Sequence, residues 1–346
     1  MKNLRYAKMP DGRMIAAGKL AQPKHVGFMI FLIVWLGFRP ISRVFADTAS
    51  YAELYEAIFG IPFEFTILTE NIIFDNIFNF FAGNSIPISF FFTVVAAVYF
   101  SCIHLASRKL FPENSSIAFF SYLVGFSTFS YGTNGVKAGA AAAIFLVALA
   151  YKDKKFLSIL LVITAIGIHH SMFVVAVAYI ISYFIKNTKL FFLGWFFTLV
   201  IATLHIDFFQ ELFAGLASDK AAEYLSGKGN VVYLTGFRPD FILYSAGPVL
   251  VGYIILIRQR IHNEIYEFWV RMYLTTNGLW MLCMYASFTN RIAYLSWFMY
   301  PFVLIYPYFA MRSSNRQLIV GKKIVRYHLY FTLFMEVIFY NFIKML

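Results

Sequence analysis

A few charged and polar residues in this chain have the types and spacing to do chemistry. Arg39 and Arg43 lie four apart, and Asp47 follows in the run Arg43-Val-Phe-Ala-Asp47-Thr48-Ala-Ser-Tyr51. On a helix, that spacing puts both guanidinium groups on one face. Lys137 comes just after Asn134-Gly-Val, ahead of a run of small residues. A cation at a helix start suits an anion, because the free N–H groups and the dipole there already favour negative charge. Arg238, within Gly236-Phe-Arg238-Pro-Asp240, and Arg291, after Asn290, sit at two further junctions. His169-His170-Ser171 closes one apolar run and opens the next. Imidazole is the side chain that changes charge near neutral pH, so one of these rings could serve as a general base. Several cations with one or two possible bases read as a diphosphate site. Each group also has a structural reading: arginines bind lipid headgroups, Asp47-Thr48 caps a loop helix, Lys137 snorkels, and the two histidines mark a tight turn.

The elements that must position these residues are membrane-spanning helices. The 346 residues are 60% hydrophobic and 13% charged, with a mean hydropathy of +0.69. A soluble domain of ordinary composition is about 25% charged. Apolar runs fall near 25–44, 86–107, 115–131, 135–151, 156–170, 172–186, 190–207, 241–257, 265–287, 292–311 and 327–345. The expected fold class is therefore all-α and polytopic, with about eleven transmembrane helices. Residues 1–24 read as a basic cytoplasmic tail and 25–346 as a single transmembrane domain. Ala138–Ala143 is mostly small residues, which lets helix backbones approach closely.

The net charge of +12 does not point to nucleic acid, because most of the 29 Lys/Arg fall in the tail and in short connections on one side of the runs. That asymmetry places the amino terminus in the cytoplasm. Most of the 17 Asp/Glu fall on the opposite side, where long loops are expected near 45–85 and 208–240. Long loops carry function, so the chemistry is expected to face outward. Within the first of them, Asn71, Asp75 and Asn79 recur every fourth residue among Ile and Phe from Glu70 to Ala82. This is the pattern of an amphipathic helix at the membrane surface, read as an interfacial anchor in preference to a grip on a lipid substrate.

The remaining ionisable groups read as structural. His25 and His262 are expected to face the cytoplasm, His104, His205 and His328 to lie near helix ends, and Arg271 to snorkel from a helix beginning near Glu264. Glu336 has no account. The cysteines, Cys102 and Cys283, both sit in apolar runs, which leaves no disulfide framework. No paired-carboxylate, His-Glu-x-x-His or Gly-x-x-x-x-Gly-Lys motif occurs, so no metal site and no ATP-driven step are expected.

Taken in order, these motifs resemble the EpsG family of Wzy-type polysaccharide polymerases. The family's Arg ahead of Asp-Thr-x-x-Tyr is matched by Arg43 and Asp47-Thr48-Ala-Ser-Tyr51, and its amphipathic stretch by Glu70–Ala82. Its Asn-x-x-Arg-Gln helix start corresponds to Asn134-Gly-Val-Lys137-Ala138, its His-x-Ser element to His169-His170-Ser171, and its late Arg to Asn290-Arg291-Ile-Ala-Tyr294. Lys137-Ala138 departs from the family's Arg-Gln. Charge is kept, but bidentate binding and an amide are lost.

The resemblance, over roughly residues 39–310, implies a GT-C-like membrane glycosyltransferase in the bacterial inner membrane, with its active site facing the periplasm. Its donor and acceptor would be undecaprenyl-diphosphate-linked oligosaccharides. The implied roles are diphosphate binding by Arg43, Arg291 and Lys137, with Arg39 and Arg238 as weaker members. His169 would be the base and Asp47 its orienter or alternative, with Tyr51, Asn134 and His170 nearby. No cofactor and no metal are implied. Membrane lipids surround it, and a flippase and a chain-length regulator of the same pathway are proteins it could work beside. An O-antigen ligase would use the same donor. A lipid-linked oligosaccharide flippase or other transporter would instead be expected to place cations along a central cavity.

Overall fold

The computed structural model describes residues 6–8, 14–16, 24–206, 208–216, 236–311 and 315–339. Among these, the chain is helical apart from one short antiparallel pair in the tail, Tyr6–Lys8 with Met14–Ala16. Most of the expected second loop, residues 217–235, lies outside the described residues. Three helices are long and apolar enough to cross a membrane: Ile88–Leu110, Pro239–Arg258 and Thr289–Phe309. Six further apolar helices have 10–17 residues. This make-up marks a membrane protein. The described residues cluster into two compact units, Met1–Phe173 with Ile305–Leu346, and Val174–Leu304.

The first unit contains α1 (Val26–Gly37), α2 (Ala46–Ala57), α3 (Ile72–Gly83), α4 (Ile88–Leu110), α5 (Ser115–Leu123), α6 (Phe126–Thr133), α7 (Val136–Ala150) and α8 (Lys155–Ile168), with the start of α9 (Met172–Phe184). Its centre is α7, buried at almost every position and packed on α4 and α8. The small residues Gly139–Ala143 make this possible. A Cβ at Gly139 would stand 2.6 Å from the carbonyl oxygen of Tyr131, so only glycine lets α6 and α7 meet there. On α3, Phe74 and Phe78 turn inward and meet Phe91 of α4 edge-on, with ring centroids 5.3 and 5.2 Å away. Tyr55 of α2 is buried beside Phe78 and donates its hydroxyl to the carbonyl of Ile86 at 2.5 Å. Burial, with a smaller push from Glu56, raises this phenol to about 12, so it stays a neutral donor at physiological pH.

Three expectations are corrected in this unit. The run 115–131, read as one span, is broken into α5 and α6 at Val124-Gly125, with Gly125 extended. Side chains take up the freed backbone groups: Thr128 Oγ1 donates to the Tyr122 carbonyl at 2.6 Å, and Tyr99 donates to that of Thr128 at 3.2 Å. A break inside an apolar layer survives only when its polar groups are satisfied in this way. Second, α1 ends at Gly37, so Arg39 and Arg43 lie beyond it, not on one helical face. Third, His25 is buried, with Nε2 2.7 Å from Nδ1 of His104 and Nδ1 3.1 Å from the Ser116 hydroxyl.

The second unit holds the rest of α9, α10 (Thr188–Thr203), α11 (Phe208–Leu216), α12 (Pro239–Gly252), α13 (Glu264–Leu282), α14 (Thr289–Trp297) and the start of α15 (Tyr300–Phe309). Helix α12 runs on as a π-turn through Arg258. One set of buried polar groups here is paired within itself. Asn277 of α13 donates to Ser245 and Ser296, both at 3.0 Å, and accepts from Trp195 Nε1 at 2.8 Å. Trp297 also donates to Ser245, at 2.8 Å. Arg271 does not snorkel. It is 1% exposed and donates to the carbonyls of Ser182 and Lys186 and to the Thr188 hydroxyl, closing the end of α9.

Candidate functional site

In the first unit, α3 gathers three sequence-distant junctions. Two of the polar residues that recur along it are tied into the protein. Asn71 accepts the backbone N–H of His170 at 3.0 Å, which attaches α3 to the α8–α9 turn. One turn later, Asp75 accepts from Lys137 Nζ at 2.9 Å, which attaches it to the first turn of α7. The other carboxylate oxygen of Asp75 accepts from the Thr69 hydroxyl. The exposed residues of α3 are the apolar Ile72, Ile77 and Phe80.

Lys137 is half-buried between rings. Its ammonium lies 4.7 Å from the centroid of Phe74 and 5.8 Å from that of Tyr51, so Tyr51 belongs to the same cluster. Charge facing ring faces is attractive, by about 0.5–2 kcal/mol depending on exposure. Asn134 caps the carboxyl end of α6 and accepts the backbone N–H of Asp47 at 2.8 Å. Asp47 is thereby fixed in the first turn of α2, where the helix dipole favours a carboxylate. Asp47, Tyr51, Asn134 and Lys137 are thus brought together with α3, and His169 and His170 join through Asn71.

His169 is the extended residue that ends α8, with φ −146 and ψ 116. Its Nδ1 receives the backbone N–H of Ser171 at 3.2 Å and lies 2.7 Å from the Ser171 hydroxyl. An amide N–H can only donate, so Nδ1 holds the lone pair and the neutral ring carries its hydrogen on Nε2. His170 is exposed and stacks on Phe173, centroids 6.2 Å apart.

The other cations differ in how far their donors are engaged. The guanidinium of Arg39 donates to the carbonyl of Leu36 at 2.5 Å and to that of Thr133, so it caps the carboxyl ends of α1 and α6. Arg43 is exposed, with no ion pair among the described residues. In the second unit, Arg238 forms a two-point pair with Asp240, at 2.9 and 2.6 Å, and lies 3.6 Å over Phe241. Arg291 is exposed in the first turn of α14, 4.8 Å over the ring of Phe288, whose backbone is left-handed.

Among the described residues, no three His, Cys, Asp or Glu side chains converge as metal ligands would. An apolar cavity of about 50 Å³ lies in the first unit, lined by Phe74, Ile77, Phe91, Val95 and Ala140 among others, and by Ile168 next to His169. Sequence reasoning missed Asn71 and Asp75 as members of the site. The signal was the four-residue period that placed them on one face of α3.

Residues 25–344, nearly the whole chain, match the family model of the EpsG family, and the chain belongs to that family. No curated protein and no solved structure matches it. Membership implies, at a general level, a polysaccharide-polymerase-like role in glycosyl transfer.

Proposed function

We propose that this EpsG-family chain polymerises polysaccharide at the outer face of the bacterial inner membrane, moving a glycan from an undecaprenyl-diphosphate carrier to a sugar hydroxyl of a second lipid-linked repeat unit. The observation that carries the reading is the convergence of Lys137, Asp47 and the His169 turn around one helix, beside a small apolar cavity.

In the reaction, the bond from the anomeric carbon to the diphosphate oxygen breaks, and its electron pair stays on the diphosphate. The acceptor oxygen forms the new bond to that carbon and gives up its proton. The enzyme must therefore hold growing negative charge on the diphosphate and accept one proton. Lys137 and Arg43 serve the first task in the first unit, and Arg291, in the other unit, is given the same role by the family resemblance alone. Arg39 and Arg238 contribute less, because Arg39 donates to two carbonyls and Arg238 is held at two points by Asp240, whereas the Lys137 ammonium has further N–H donors beyond its single bond to Asp75. For the proton, Asp47 is the better candidate than His169. In the neutral His169 ring Nδ1 already accepts from Ser171 and Nε2 carries the hydrogen, and Asp47 is another proton acceptor brought to this cluster. All charge stabilisation in this reading comes from fixed side chains. The apolar cavity is where the first isoprenyl carbons would enter.

The test is glycan laddering on a gel from purified protein and native lipid-linked repeat units, with and without EDTA. A ladder that survives chelation is expected. No ladder from correctly folded protein overturns the polymerase, and a ladder lost on chelation overturns the cation-only mechanism.

A further inference from the structure

We propose that Ser171 sets the position of the proton on His169, so that the ring meets the donor diphosphate as an Nε2–H hydrogen-bond donor and not as a base. The inference rests on the polymerase reading above and assigns a positioning residue within that site.

Two donors of one residue converge on Nδ1: the backbone N–H of Ser171 at 3.2 Å and its hydroxyl at 2.7 Å. The hydroxyl could reverse direction, but the amide cannot, so Nδ1 must offer a lone pair. The turn that holds this geometry is fixed on both sides. The carbonyl of His169 accepts from Met172 at 3.0 Å in the first turn of α9, and the amide of His170 is held by Asn71 of α3. His169 is thus clamped at backbone and ring, with its proton directed to the far nitrogen. A diphosphate leaving as an anion needs donors, and an Nε2–H supplies one without giving up its proton. The acceptor's proton then passes to the carboxylate of Asp47.

Full-length protein in nanodiscs, assayed with lipid-linked repeat units, separates donor from base. His169→Gln supplies an amide N–H near Nε2 but no titratable lone pair. It is expected to keep about a tenth of wild-type turnover, while His169→Ala falls below about a hundredth. Equal inactivity of the two would mean a base and overturn the proposal. Ser171→Ala retains the backbone N–H, so its loss is partial, about fivefold near pH 8. Ser171→Thr, which keeps both donors, should restore turnover to near the wild-type rate. Ser171→Ala that turns over as fast as wild type, or Ser171→Thr that fails to rescue, overturns the positioning role. ¹⁵N spectra of histidine-labelled protein read the ring directly, with His169→Gln identifying the signals. A hydrogen found on Nδ1 of the neutral wild-type ring overturns the proposal even if every variant is poorly folded. Inactive wild type with the native repeat unit would instead sink the polymerase reading and leave the ring assignment to the spectra.

Discussion

The two units use polar side chains in opposite ways. In the unit of residues 174–304, Asn277, Ser245, Ser296, Trp195 and Trp297 end on one another, and most of them are fully buried. In the other unit, Asn71, Asn134 and Lys137 reach across to junctions, two of them ending on backbone N–H groups, and all are only partly buried. A closed buried network fixes one packing, and its groups have no capacity left for a ligand. A set of half-buried ties positions turns while keeping charged groups near water or substrate. The difference teaches where to look for chemistry: residues that hold junctions together, not the richest hydrogen-bond network.

The sharpest way to break the contrast is His169→Ala. It should cut polymer formation by at least about a hundredfold with the protein still folded in the membrane, read from gel laddering beside a melting curve. Normal ladders would remove the site from the first unit. Next in size, Asn277→Ala strands the indole N–H of Trp195 inside the second unit and should cost about 2 kcal/mol, seen as a lower detergent melting temperature at unchanged turnover per folded molecule. Turnover lost without loss of stability would give the second unit a chemical role. Lys137→Ala should raise KM for the lipid-linked donor about tenfold, with Lys137→Arg restoring most of it. If only the melting temperature moves, the Lys137–Asp75 pair is structural and the units are alike. The smallest effect is expected for Tyr55→Phe, which removes the bond to the Ile86 carbonyl and should cost about 1 kcal/mol of stability with turnover intact.

Much of the first unit was legible in the sequence because its pattern is periodic. The Glu70–Ala82 amphipathic stretch is helix α3, and the histidine pair does mark the turn between α8 and α9. What the period could not give was the direction of the polar face. Asn71 and Asp75 look the same whether they face headgroups or protein, and only the partners His170 and Lys137 decide it. The break at Gly125 was hidden because apolar residues flank it and hydroxyl groups, invisible to hydropathy, repair it. The placement of Arg39 had a readable cue. It precedes Pro40, and the residue before proline is biased away from helical backbone, so α1 stops short of it. The tautomer of His169 depends on a single N–H vector, which no spacing encodes.

The two ties on α3 also constrain how this stretch of chain can vary in length. Asn71 and Asp75 are separated by about one helical turn, and each holds a different junction. Inserting or deleting one residue between them would rotate one tie against the other by about 100° around the helix axis, so both could not be kept at once. Substitutions here can be absorbed singly, whereas a change of length disconnects the histidine turn from the lysine helix. The reading frame of this one turn is therefore a gauge length for the site.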